Sequence, residues 1–125
     1  MQENRRIPRR RVFYYLEILD LDTGEPLGRL GDISPTGIMI LAEHPLTMNK
    51  TFRVSIRLPE TGLLPEKELQ LEVETRWMKP DLNPKILCTG CSIIKAKKES
   101  IGVINSLVEF YGFSDGFKHL KTPEF

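Results

Sequence analysis

Two short segments carry side chains whose types and spacing suit one chemical task. The first is Arg5-Arg6-Ile7-Pro8-Arg9-Arg10, an R-x-x-x-R with extra arginines. The second is Asp32-Ile33-Ser34-Pro35-Thr36-Gly37, a D-x-S-x-x-G. A guanidinium is a planar, permanently charged fork of donors. It can grip a phosphate or pair with O6 and N7 of guanine. An ionised carboxylate only accepts, so Asp32 suits the N1 and N2 donors on guanine's opposite edge. Ser34 adds a hydroxyl. Gly37 permits a positive φ or a close approach of backbone to ligand. Arginines and one carboxylate thus complement a guanine nucleotide from two sides. Adenine has a donor at N6 and no N1–H, so it fits this set poorly.

Each segment has a plainer reading. An arginine run near a terminus is commonly a solvated tail. Asp followed by Ser and Gly commonly makes a turn through local side-chain bonds. Only the ordered pair points to a site. Cys88 and Cys91 form a C-x-x-C, but ILCTGCSII reads as a strand. Three residues along a strand span roughly 10 Å and put the two thiols on opposite faces, too far for a disulfide. A zinc site needs two more ligands, and His44 and His119 lack ligand spacing. Asp32 and Ser34 have no neighbouring His or Lys to activate a nucleophile, so an enzyme is not expected. No metal ligands or cofactor are assigned.

These residues must be positioned by short strands. Val12, Tyr14, Leu16 and Ile18 alternate in a first strand over 12–20, and 26–33 returns as a second. Residues 38–42 are an apolar third strand, and Pro45 and Asn49 then break the chain. Phe52, Val54, Ile56 and Leu58 alternate with Arg53, Ser55 and Arg57 in a fourth. After a loop over 59–66, Leu69, Leu71, Val73, Thr75 and Trp77 share one face of a fifth. Trp77 therefore reads as core, with base stacking as its other use. A turn over Pro80 to Pro84 leads to a sixth strand at 86–94. From residue 99 the period becomes helical, with Ile101, Ile104, Leu107, Val108 and Tyr111 in a stripe. Ser100 is a candidate cap and Gly112 a candidate stop. The expected fold is mainly β: a six-stranded antiparallel barrel with a C-terminal helix over an end or side.

Length and composition agree with one globular domain of 125 residues. No apolar run reaches the length of a membrane span, and the basic N-terminus has no signal core, so the expected location is the cytoplasm. The formal net charge is only +1, but five arginines crowd the first dozen residues. Acidic residues gather around Glu60 to Glu74. A local arginine block wants an anion or an acidic partner. A general nucleic-acid binder would carry a broader basic surface.

The ordered motifs resemble those of the PilZ domain, a family of bacterial receptors for cyclic di-GMP. Arg5-Arg6-Ile7-Pro8-Arg9 is similar to its R-x-x-x-R, and residues 32–37 match its D/N-x-S-x-x-G in full. Trp77 sits where the family often has a V-x-W strand ending. Gly90 to Ile93 resembles its G-x-x-F strand, with Ile93 in place of the aromatic. The resemblance implies one PilZ domain over 1–125. It divides into a flexible ligand-binding arm at 1–11, a barrel at 12–96, a helix at 99–112 and a tail at 113–125. It implies that Arg5 and Arg9 contact guanine and phosphate, that Asp32 and Ser34 contact guanine, and that Gly37 shapes the turn. Arg6 and Arg10 also make an R-x-x-x-R and are secondary candidates. On this view cyclic di-GMP orders the arm, and a downstream effector protein reads the changed surface. Motility and exopolysaccharide synthesis are outputs seen in the family. Phe113, Phe117 and Phe125 in the tail are packing residues first and a docking patch second. The alternatives are a nucleic-acid-binding barrel and a PilZ-like adaptor that binds only protein.

Overall fold

The computed structural model describes residues 16–60 and 64–111. Six strands follow in chain order: β1 (Glu17–Asp20), β2 (Pro26–Ile33), β3 (Gly37–Ala42), β4 (Thr51–Arg57), β5 (Glu68–Pro80) and β6 (Leu87–Lys95). One helix, α1 (Lys98–Tyr111), comes last. The strands pair antiparallel in the ring order β1-β2-β3-β6-β5-β4. Pairing of β1 with β4 closes the barrel, with Ile18 opposite Ile56. Closure gives the ladders at both ends of that order a partner, which an open sheet would leave exposed.

The expected barrel and helix are both present. Val12 and Tyr14 lie outside the described residues; Leu16 and Ile18 on the same face are buried. β5 runs on to Pro80, so the turn begins one residue later than its Pro80 signal suggests. In β4, Phe52, Val54 and Ile56 face inward, as their alternation requires. They meet Val73, Leu71 and Leu69 of β5 in register. With Ile18, Leu30, Ile33, Ile38, Ile40 and Cys91 they form one apolar core. Each such side chain contributes about 1.5–3 kcal/mol on burial.

The two mouths of the barrel are closed differently. At one, α1 packs against β2 and β5, which are opposite members of the ring, so the helix lies across the opening. Val103, Ile104 and Leu107 enter the core. Their spacing is that of one helix face. The expected stripe is corrected at one point: Ile101 is 41% exposed and Val103 takes the inward place. Ser100 is also not the cap. It lies inside the helix, and its Oγ donates to the Gln70 carbonyl at 3.4 Å. The first turn instead begins at Lys97, whose carbonyl accepts from Ser100 N and Ile101 N. Gly112 and the tail phenylalanines lie outside the described residues.

At the other mouth, the segment after β3 folds inward and Leu46 packs on the core. Thr75 is fully buried, and its hydroxyl donates to the Thr47 carbonyl at 2.6 Å. Asn49 turns the chain into β4 with φ of 56°, a conformation Asn tolerates better than most residues.

Candidate functional site

The D-x-S-x-x-G segment is the β2–β3 hairpin. Ser34 N donates to the Gly37 carbonyl at 2.9 Å, and Gly37 N donates back to the Ser34 carbonyl at 3.4 Å. Only Pro35 and Thr36 lie between. Pro35 holds φ near −65°, and the one positive φ outside glycine among the described residues is at Asn49. The turn is therefore not one of the primed types whose twist matches a hairpin. Ser34 Oγ accepts from Thr36 N at 3.3 Å and lies 3.2 Å from Thr36 Oγ1. The Thr36 carbonyl accepts from Ile93 N at 2.9 Å, which ties the turn to β6. Gly37 does not supply a positive φ; Gly24 and Gly28 do. It opens β3 as a buried residue opposite Ser92.

A bulge in β2 aims Asp32. Leu30 faces Ile40 and Asp32 faces Met39, so Gly31 is the extra residue. In an unbroken alternation that counted Gly31, Asp32 would share the inward parity of Leu30. With the bulge, Ile33 takes the inward place opposite Ile38, and Asp32 moves to the outer row with Met39. Bulges re-aim side chains in this way, and glycine inside a strand is their usual mark. Asp32 is only 4% exposed, and its Oδ1 accepts from Ile33 N at 2.9 Å.

A second bulge, in β5, aims Trp77. Thr75 faces Cys91 and Trp77 faces Gly90, so Arg76 is the extra residue. The core assignment of Trp77 is therefore corrected. Its parity with Leu69, Leu71 and Val73 breaks at Arg76, and the indole lies half-buried on the outer face. Trp77 pairs with Gly90, Gly90 with Met39, and Met39 with Asp32. These four form one outer row across β5, β6, β3 and β2. Neighbouring strands are about 4.8 Å apart, so the row is about 14 Å long. The Lys79 ammonium stands 5.1 Å from the centroid of the Trp77 ring.

Arg5, Arg6, Arg9 and Arg10 lie outside the described residues. Asp32, Ser34 and Gly37 are brought together at one end of the row, and Trp77 is the residue that straight alternation misplaces. The chain reads Thr75-Arg76-Trp77 there, and its place where PilZ domains often have a V-x-W strand ending was the signal for it. The cysteines sit on opposite faces, as a strand requires. Cys91 pairs with Ile38 inside; Cys88 pairs with Leu41 and its Sγ donates to Asp81 Oδ1 at 3.6 Å. Both are free thiols. Burial pushes Cys91 up to about 12. Burial, then the Asp81 charge, pushes Cys88 up to about 11. Neither is a ready nucleophile. A cleft of about 680 Å³ opens at the far end of the β2–β3 hairpin, between Leu27, His44 and Ile86, away from Asp32 and Ser34.

A closed six-stranded antiparallel barrel with a helix across one mouth, and a D-x-S-x-x-G hairpin beside it, defines a class of small binding modules. The PilZ domain model matches residues 3–110, and the chain belongs to that family. PilZ domains are typically non-enzymatic receptors or adaptors. The barrel is similar to that in a solved structure of the Bacillus subtilis inhibitor of motility (MotI/DgrA), with 16% identity and a TM-score of 0.57. The match covers 86% of this chain and 47% of that one, so this chain spans about half the length of that protein. No curated protein sequence matches the chain. No helix among the described residues is long and apolar enough to cross a membrane.

Proposed function

We propose that the chain is a receptor for cyclic di-GMP that signals to a downstream effector protein without catalysing a reaction. The observation that carries this reading is the outer row from Asp32 to Trp77, set beside the D-x-S-x-x-G hairpin. It offers a carboxylate for the N1 and N2 edge of guanine at one end and an aromatic surface at the other. Family membership supports the same ligand class.

In this reading Arg5 and Arg9 close over the ligand from the N-terminal arm, binding phosphate and the Hoogsteen edge of guanine. Arg6 and Arg10 are the secondary pair. Ser34 adds a hydroxyl bond, and Gly37 lets the ligand approach the backbone. Trp77 stacks on a base, an interaction of about 1–3 kcal/mol. The arm is too polar to pack without these partners, and its ordering on the ligand alters the surface that the effector reads. The domain boundaries are those above, and the site of action is the cytoplasm. The likeness to a motility inhibitor makes motility one output to assay.

Calorimetry with Arg9→Ala and Asp32→Ala tests the site. Loss of a charge-assisted hydrogen bond of about 1.5–3 kcal/mol weakens binding roughly tenfold to more than a hundredfold. Unchanged affinity in both variants would remove the proposed site.

A further inference from the structure

We propose that Gly90 is a positioning residue, which lays the Trp77 indole flat on the barrel as a preset platform for a ligand base. The inference rests on the receptor reading above and goes beyond it by naming what holds the platform. A Cβ built on Gly90 would lie 2.2 Å from Trp77 Cε2 and 2.5 Å from both Cζ2 and Nε1. These are one ring-fusion atom and its two bonded neighbours, nearly equally distant. An in-plane approach would bring the two neighbours closer than Cε2, so the ring lies over Gly90 face-on. No real side chain tolerates such contacts; any residue with a Cβ must tilt or lift the indole. Directly opposite Trp77 in the ladder, only glycine leaves room for the ring to lie down.

The other face of the indole points away from the sheet. The Lys79 ammonium stands over it at 5.1 Å. Lys79 is exposed and its stem is flexible, so the cation gives way to an arriving base at small cost. Gly90 thus fixes the face of the indole that lies on the sheet. A ring already held in place loses little freedom on stacking, and preorganisation of this kind strengthens binding.

The test is a double-mutant cycle on cyclic di-GMP affinity with the wild type, Gly90→Ala, Trp77→Ala and the double variant. Gly90→Ala is expected to weaken binding about tenfold, and Trp77→Ala at least as much. The double variant should match Trp77→Ala within about twofold, because Gly90 acts only through the ring. Wild-type affinity in Gly90→Ala, or fully additive losses in the double variant, would overturn the proposal. Wild-type affinity in Trp77→Ala, with Asp32→Ala still defective, would sink the platform and leave the receptor reading intact. A wild-type chain indifferent to cyclic di-GMP would sink both. If Gly90→Ala does not fold, the fluorescence anisotropy of the wild type decides, since Trp77 is the only tryptophan in the chain. A pinned indole tumbles with the whole barrel; a large nanosecond component of independent motion would contradict the proposal.

Discussion

Strand β4 keeps one alternation from end to end, whereas β2 and β5 each interrupt theirs. In β4 the even positions Phe52, Val54 and Ile56 are core, and the strand carries no proposed ligand contact. In β2 the extra residue Gly31 turns Asp32 outward, and in β5 the extra residue Arg76 does the same for Trp77. The regular strand holds the barrel together. The interrupted ones spend their irregularity on lifting one chosen side chain out of the interior. On the proposed reading, stability and recognition are divided among strands of the same sheet, and the division can be tested strand by strand.

Ile56→Ala should have the largest effect, with a stability loss of about 2–5 kcal/mol from an emptied core position. Its folded fraction should bind cyclic di-GMP as the wild type does; reduced affinity there would blur the division between strands. Asp32→Asn is smaller in energy and opposite in kind. It keeps an oxygen for Ile33 N but loses the charge, so affinity should drop about tenfold while the denaturation midpoint barely moves. A shifted midpoint with intact affinity would recast Asp32 as a structural residue.

A further test concerns the buried thiols. Cys91 is raised from 9.0 to about 12 and Cys88 from 9.0 to about 11, both chiefly by burial. The folded state therefore holds these protons at a pH where the unfolded chain releases them. That contribution is whole below about pH 9 and declines as pH climbs toward 11 and 12. Denaturation midpoints should drop across that window, and Cys91→Ala should flatten the drop. A wild-type midpoint constant from pH 9 to 11 would argue against a buried Cys91.

Much of this fold is legible in the order of residues. The bounds of β2, the core face of β4 and the change to helical spacing after residue 98 all follow from period and turn chemistry. What straight alternation cannot convey is a bulge. Gly31 inside a strand was a faint mark of one, but Arg76 carries no such mark, and so Trp77 read as core. The helix face slipped for a related reason: Ile101 and Val103 are both apolar, and only contact with the barrel mouth selects Val103. The D-x-S-x-x-G hairpin was plain from its residues, while the outward aim of Trp77 at the other end of the row came from the register of β5 on β6.

The most direct test of guanine recognition is a calorimetric titration of the chain with cyclic di-GMP and cyclic di-AMP, each at low and high salt. The account predicts binding of cyclic di-GMP that survives high salt, with cyclic di-AMP weaker by about a hundredfold or more, since Asp32 faces donors that adenine lacks. Equal affinity for the two dinucleotides, vanishing together as salt rises, would contradict it and leave only phosphate attraction.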